Sequence, residues 1–241
     1  EDLDPGTPSD PGGSVLELLE RGLDLAGELP RGPTLDVGCS VGRPAFALAE
    51  RREGLILGVD TNFAMLRVAS RALREGVACY PRRRVGLVYD RREVPVNFPG
   101  AERVDFWACD ALALPFADDT FALATSLNVL DCVPVPRDHL AGLGRVLLPG
   151  GKAVLTSPYD WSAGATPVES WLGGHSQRGG EGGSSEALLR ALLTPGAHPA
   201  SVETLRLFAE AEALPWRVRI HERYSATYSV HLAVAESVRE L

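Results

Sequence analysis

The chain has 241 residues, 45% of them hydrophobic and 23% charged, which is the composition of an ordinary globular protein with room for one sizeable core. Its formal charge of −8 argues against a general nucleic-acid binder, and no run approaches the roughly 18 apolar residues of a membrane span. Cys39, Cys79, Cys109 and Cys132 form no CxxC pair and no metal-ligand spacing with a histidine; with no secretory signal, reduced thiols, a cytoplasmic location and no metal are expected.

Residues 1–13, EDLDPGTPSDPGG, are turn formers and acids and read as a flexible lead-in. In SVLELLERGLDLAGEL, Val15, Leu16, Leu19, Leu23 and Leu25 near helical spacing predict a helix, with Ser14 as N-cap and Pro30 and Pro33 beyond its end. TLDVG then reads as a buried strand, PAFALAERR as a helix, LILGVD as a strand and FAMLRVASRALREG as a helix closing at Gly76. RVGLVYD and EVPVNF are expected as the arms of a hairpin inserted within 80–100. The nearby Arg82, Arg83, Arg84, Arg91 and Arg92 read as a solvated face or as a site for an anionic substrate or partner. RVDFWACD, FALATSLNVL and KAVLTSPY are further strands, with PRDHLAGLGRVL a helix before the last. SSEALLRALL and SVETLRLFAEAEAL are expected helices, and WRVRIHER and YSVHLAVAE a closing antiparallel pair. Alternation of this kind predicts one domain, a mostly parallel sheet covered on both faces.

The stretch LDVGCSVGRPAFALAE (35–50) joins a strand carrying Asp36 to a turn with Gly38 and Gly42 and a helix opened by Pro44, where a missing N–H costs little. Glycines permit the tight turn and let a ligand approach backbone N–H groups at a helix N-terminus. Ser40 stands where a dinucleotide fingerprint needs Gly, and no GxxxxGK[ST] loop is present, so the expected ligand is a nucleoside without a pyrophosphate. Asp60 ends the next strand, eighteen residues after Gly42, where an acid accepts both ribose hydroxyls. Asp110 ends a third strand, where a carboxylate can take the exocyclic amine of a purine.

These features, with DTNFAMLRVA (60–69), DALALPFADDTFALATSLNVL (110–130) and LGRVLLPGGKAVL (143–155), resemble the class I S-adenosylmethionine-dependent methyltransferases across residues 34–157. The resemblance implies a Rossmann-like, mostly parallel seven-stranded α/β sheet with helices on both faces and an antiparallel last strand. It implies S-adenosylmethionine as cofactor and S-adenosylhomocysteine as product. It places Asp36, Gly38 and Gly42 at the methionine part, Cys39 and Ser40 along the turn, and Asp60 with Thr61 and Asn62 at the ribose. Asp110 and Ala111 then face the adenine, and Asn128 lies near the sulfonium. Cys39 reads as a small filler rather than a nucleophile.

The segment TSPYDWSAGATPVESWLGGHS (156–176) follows the fifth strand of that pattern and carries two of the chain's four tryptophans. Ligands of open parallel sheets bind beyond the carboxyl ends of the strands, so an acceptor pocket is expected here, in a substrate-side loop over 158–185. SPYDWSAGATPVESWLGG, NVLDCVPVPRDHL and LPWRVRIHERYS resemble the mercaptohistidine N-methyltransferases of ovothiol biosynthesis. Departures are Asp131-Cys132 where that family has Cys-Arg, and the Gly-rich HSQRGGEGGSS. The resemblance implies transfer of a methyl group to an imidazole ring nitrogen. Asn128, Tyr159 and Asp160 are candidates to accept a hydrogen bond from the other nitrogen. Trp161 and Trp171 are expected to flank the ring or the sulfonium, and Arg219 or Arg223 to hold a carboxylate. His175 reads as solvated or as a lid base, and His139, His221 and His231 as structural or exposed. Another small-molecule or protein acceptor, or a binding protein without catalysis, remains the alternative; no nucleic-acid or membrane partner is expected.

Overall fold

A computed structural model describes residues 14–178 and 180–239; the lead-in over 1–13 lies outside the described residues. The amphipathic run at the start forms α1 (Ser14–Ala26), burying Leu18, Leu19, Gly22 and Ala26. Then come β1 (Thr34–Val37), α2 (Arg43–Arg51), β2 (Ile56–Asp60) and α3 (Phe63–Glu75). A hairpin of β3 (Val77–Val85) and β4 (Val88–Pro95) precedes β5 (Val104–Ala108), β6 (Phe121–Leu127), α4 (Pro136–Val146) and β7 (Leu147–Ser157). After a long loop come α5 (Ser185–Leu192), β8 (Leu205–His221) and β9 (Tyr224–Ser237).

Seven strands form one sheet in the order β5-β2-β1-β6-β7-β9-β8, with β3 and β4 apart as a two-stranded ribbon. The pairs from β5 to β7 are parallel, and β9 runs antiparallel to both β7 and β8. This is the Rossmann-like α/β architecture expected. Strand alternation divides the sheet between two cores. Leu35, Val37, Ala124 and Leu155 pack with Leu140 and Leu143 of α4 and Leu189 of α5. Leu123, Val154 and Leu232 face Leu19 of α1 and Phe46 of α2 on the other side. The chain's single lysine, Lys152, is 5% exposed and donates to the carbonyls of Ala26 (2.6 Å) and Glu28 (3.0 Å), a cation where the last carbonyls of α1 lack helical partners.

Three local expectations are corrected. SVETLRLFAEAEAL is not a helix: from Leu205 onward it is the first part of β8, with Leu205, Leu207 and Ala209 registered on Ser237, Ala235 and Val234 of β9. Its Ala and Glu residues favour helix, but an edge position beside a buried strand overrides that weak preference. The ribbon starts at Val77, directly after the left-handed Gly76 closes α3, so Arg84–Asp90 spans the end of β3, the turn at Gly86 and Leu87 and the start of β4 rather than forming one arm. Ser14 does not cap its own helix; its Oγ donates to the carbonyl of Arg217 and accepts from that residue's N–H, both at 3.0 Å, fastening α1 to β8. Among the described residues, no helix is long and apolar enough to cross a membrane.

The second half of β8 projects past the sheet as a hairpin with the start of β9, and its tip meets the tip of the ribbon. Glu222 N–H donates to the Arg84 carbonyl at 3.3 Å, and the two side chains pair at 3.8 Å. Arg84 also faces Asp90, Arg91 pairs with Glu93, and Arg83 Nε donates to the Gly86 carbonyl. Two arginines of the basic cluster, Arg84 and Arg91, are therefore ion-paired within the ribbon and its neighbour.

Candidate functional site

At the carboxyl ends of β1 and β6 lies a cavity of about 300 Å³. Its floor is the glycine turn. Gly38 (φ 72°), Ser40 (φ 51°) and Gly42 (φ 81°) are all left-handed. A Cβ on Gly38 would stand 2.4 Å from Val129 Cγ2, and one on Gly42 2.5 Å from the Phe106 ring, so both positions need glycine for space as well as for φ. Much of the turn's N–H inventory is spent inside the protein: Gly38 and Cys39 donate to the Val59 carbonyl, Gly42 to that of Cys39, and Ser40 to Asp60 Oδ2 at 2.8 Å. The turn therefore offers a ligand mainly close approach, not the row of free N–H groups that its helix N-terminus suggests.

Asp36, Gly38, Cys39, Ser40 and Asn128 all line this cavity. Asp36 is 1% exposed; Thr125, its register partner on β6, donates to Oδ1 at 2.7 Å, while Oδ2 is buried without a partner. Burial, partly offset by that hydrogen bond, raises its pKa from 3.8 to about 7. Cys39 is 1% exposed, and burial pushes its thiol well above the ordinary range, which suits a filler and not a nucleophile. Asn128 (φ 57°) accepts from the Thr156 hydroxyl on Oδ1 at 2.8 Å, while its backbone N–H donates to Thr156 Oγ1 at 2.9 Å. Thr156 thus engages the side-chain oxygen of Asn128, which lines the cavity.

Asp60, Thr61, Asn62, Asp110 and Ala111 lie beside the cavity rather than on its lining. Asp60 joins its wall through Ser40 and uses Oδ1 to accept from Asn62 N–H at 2.7 Å; Asn62 in turn caps α3 by accepting from Ala64 and Met65. Asp110, exposed at the end of β5, accepts from Leu112 N–H at 2.9 Å. Beneath this turn, fully buried His139 bridges Ser126 Oγ (2.8 Å) and the Ala111 carbonyl (3.4 Å); burial lowers its pKa to about 4, so it stays neutral.

The segment after β7 folds back onto the α4–α5 core. Trp171, Trp161, Tyr159 and His231 follow one another as a column, with ring centroids 6.1, 6.2 and 5.9 Å apart. Trp161 Nε1 donates to Ser185 Oγ and Trp171 Nε1 to the Thr166 carbonyl. Tyr159 Oη lies 2.7 Å from His231 Nδ1, and His231 Nε2 lies 3.1 Å from Glu210 Oε2. Asp160 is exposed, its N–H donating to Asp131 Oδ2 at 2.8 Å. His175 is exposed and bonds the Gly173 carbonyl.

None of Tyr159, Trp161, Trp171, Arg219 or Arg223 is among the cavity's lining residues; Trp216, Arg217 and Val218 are, opposite Ser14 and Val15. Arg223 is exposed in the hairpin turn between β8 and β9. The sequence signal for Trp216 was its place in an alternating run; the face it takes depends on bulges that no pattern announces. Glu210, Glu212 and His231 form one group spaced for a metal ion, but the Arg190 guanidinium bonds both carboxylates and already supplies the positive charge.

Residues 35–155 match the methyltransferase domain family. Methyltransferase GfsG of Streptomyces halstedii is 30% identical over 146 residues, 60% of this chain and 43% of that protein. Methyltransferase phqN of Penicillium fellutanum is 26% identical over 198 residues, 79% and 52% of the two chains, so this chain spans about half the length of the curated relatives it matches. A crystal structure of a SAM-dependent methyltransferase from Methanosarcina mazei shares the fold with a TM-score of 0.56 at 19% identity, covering 87% of this chain and 94% of that one.

Proposed function

Because the chain belongs to the methyltransferase domain family, with the class I S-adenosylmethionine-dependent fold, we infer that it transfers a methyl group from S-adenosylmethionine to a small molecule. The observation that carries this reading is the buried, unpartnered Oδ2 of Asp36 facing a cavity whose floor only glycine can form. A carboxylate so placed suits an ammonium group such as that of the cofactor's methionine part, since a buried charge needs a partner. Asp60 has lone pairs left for two ribose hydroxyls, and Asp110 with Ala111 would border the adenine.

When bound, S-adenosylmethionine supplies a methyl group already activated by its sulfonium. The chain's part is to align the acceptor and to exclude water, which can supply about 7–11 kcal/mol of a barrier. Asn128, held by Thr156, would border the reacting space. Trp216, Arg217 and Val218 of β8 would close the cavity on the acceptor's side.

For the acceptor, the proposed reading is the imidazole ring nitrogen of mercaptohistidine, as in ovothiol biosynthesis. Its support is the resemblance of residues 157–174 to that enzyme family, together with the hydrogen-bonded aromatic column that this segment builds. The test is incubation with S-adenosylmethionine and a pool of histidine, mercaptohistidine, other thiol-imidazoles and small amines, read by mass. One methyl gained on the mercaptohistidine ring supports the full reading; a methyl on another component discards that acceptor alone. Cofactor binding without transfer to any component sinks the small-molecule reading and points to a macromolecular acceptor or to binding without catalysis.

A further inference from the structure

None of the five arginines of the ribbon lines the cavity, and the side chains between them are of the opposite kind. The run RRRVGLVYDRR (82–92) turns at Gly86 and Leu87. Two-residue hairpin turns favour Gly, Asn or Asp at their centre. Here one central residue is Leu87, which is 90% exposed. Val85, Val88 and Tyr89 beside it are exposed too, and so is Tyr224 at the tip of the β8–β9 hairpin. These are five of the twelve large apolar side chains that stand exposed among the described residues, gathered where the two tips touch through Glu222 and Arg84.

Positive charge is gathered at the same place. Residues 82–93 and 221–224 hold six arginines against Asp90, Glu93 and Glu222, in a chain of net charge −8. Val85 closes the ribbon's turn against Val88; behind them Arg83 stands beside Tyr89, Arg82 beside Asp90 and Arg91 beside Pro81. At about 3.3 Å per residue, all three arginines lie within roughly 13 Å of the turn. The paired tips thus carry an apolar apex with a cationic collar behind it.

A stable protein interface buries about 800 Å² and 20–30 residues on each side, which two tight turns do not offer. A bilayer asks for less: a few apolar side chains at the headgroup–acyl boundary and basic groups among anionic headgroups. Tyrosine and arginine both suit that boundary, each having an apolar body and a polar end. The net charge of the chain opposes approach, but at physiological salt exposed charges act over about 8 Å. The collar therefore meets the surface while the acidic remainder is screened. The expectation of no membrane partner rests on the absence of a long apolar run, which bears on spanning a bilayer and not on resting against one.

We propose that the paired tips of the ribbon and the β8–β9 hairpin dock the chain on a lipid surface that carries anionic headgroups. Leu87, Val85, Val88 and Tyr224 enter the boundary of the apolar layer, and the arginines of the ribbon lie among the lipid phosphates. Val218 lines the cavity four residues before Glu222 of the second tip, so a docked chain holds its cavity close to the surface. The docking does not depend on which acceptor is methylated.

Co-sedimentation of the full chain with phosphatidylcholine vesicles, with and without about one-third phosphatidylglycerol, tests the proposal. Binding to the anionic vesicles alone is expected. It should fall severalfold between about 0.1 M and 1 M salt, as the screening length shrinks from about 10 Å to about 3 Å. Leu87→Asp should weaken partitioning roughly tenfold or more; Leu87→Lys should weaken it too, although it adds a positive charge, because the apolar apex is lost. Leu87→Trp should bind, and its added emission, taken as the difference from wild type, should move to shorter wavelength on anionic vesicles only. Position 87 stands in solvent, so all three variants should keep the wild-type Tm. No sedimentation with anionic vesicles, equal sedimentation with neutral ones, or binding that Leu87→Asp or Leu87→Lys leaves unchanged would overturn the proposal. So would self-association of the vesicle-free chain in sedimentation velocity that Leu87→Asp abolishes, since the tips would then belong to a second copy.

Discussion

The two halves of the sheet hold their polar groups by different means. On the side of β1, β2 and β5, carboxylates at strand ends are steadied by backbone N–H groups, mostly of their own turns: Asp60 by Ser40 and Asn62, Asp110 by Leu112. On the side of β7, β8 and β9, side chains distant in sequence hold one another: Tyr159 with His231, His231 with Glu210, Trp161 with Ser185. The first arrangement is assembled by local chain geometry and so travels as a motif. The second exists only once the whole sheet has formed. It also responds differently to change, since groups that act through one another do not lose their energies additively.

The largest effect should come from the motif side. On the proposed placement of the cofactor, Asp60→Ala would remove a charged acceptor for two ribose hydroxyls, each bond worth about 1.5–3 kcal/mol, and should weaken S-adenosylmethionine binding by roughly 10²-fold or more in calorimetry. A loss below tenfold would detach Asp60 from the cofactor. Next is Asp36→Asn in the cofactor-free protein. With an acid constant of 3.8 unfolded and about 7 folded, Asp36 binds more protons in the native state between those limits. Stability therefore falls as pH rises from about 4 to about 7 and stays lowered above. The Tm gain of Asp36→Asn should be larger at pH 8 than at pH 5, by roughly 4–8 °C, while cofactor binding weakens. Equal gains at both pH values would show that the carboxylate is already paired.

The β7–β9 side predicts coupling instead. His231→Asn and Glu210→Gln, measured singly and together by denaturant unfolding, should be non-additive by about 0.5–3 kcal/mol. Additivity would reduce the chain to separate contacts. Smallest of all is Arg84→Ala at the meeting of the two hairpin tips. Its pairings with Asp90 and Glu222, at 3.7 and 3.8 Å between half-exposed side chains, should contribute under about 1 kcal/mol, and Tm should move by no more than a few degrees.

The same contrast explains what could be read in advance. Asp36, Gly38, Gly42 and Asp60 were legible because strand, turn and helix succeed each other within 27 residues and each demands a residue type. Along β8, local pattern failed twice. Its Ala- and Glu-rich start has the composition of a helix and becomes a strand only because β9 offers a partner. Then register shifts between Leu207 and Ala209, and between Ala211 and Leu214 where Ala213 is left-handed, change which side chains share a face. Arg217 and Arg219 share a face of the unshifted run from Leu214, so position along the strand puts Arg217 on the cavity lining and leaves Arg219 off it. His231 was invisible as a partner of Tyr159 because 72 residues separate them.

Lys152 gives the folded chain an unusual chemical property. Its ε-amine is the only one in the sequence, and it is buried against the end of α1. Amine-directed reagents thus have a single lysine target that the native packing shields. The rate at which Lys152 is modified measures how often α1 lifts from the sheet, so the molecule carries its own single-site clock for local opening.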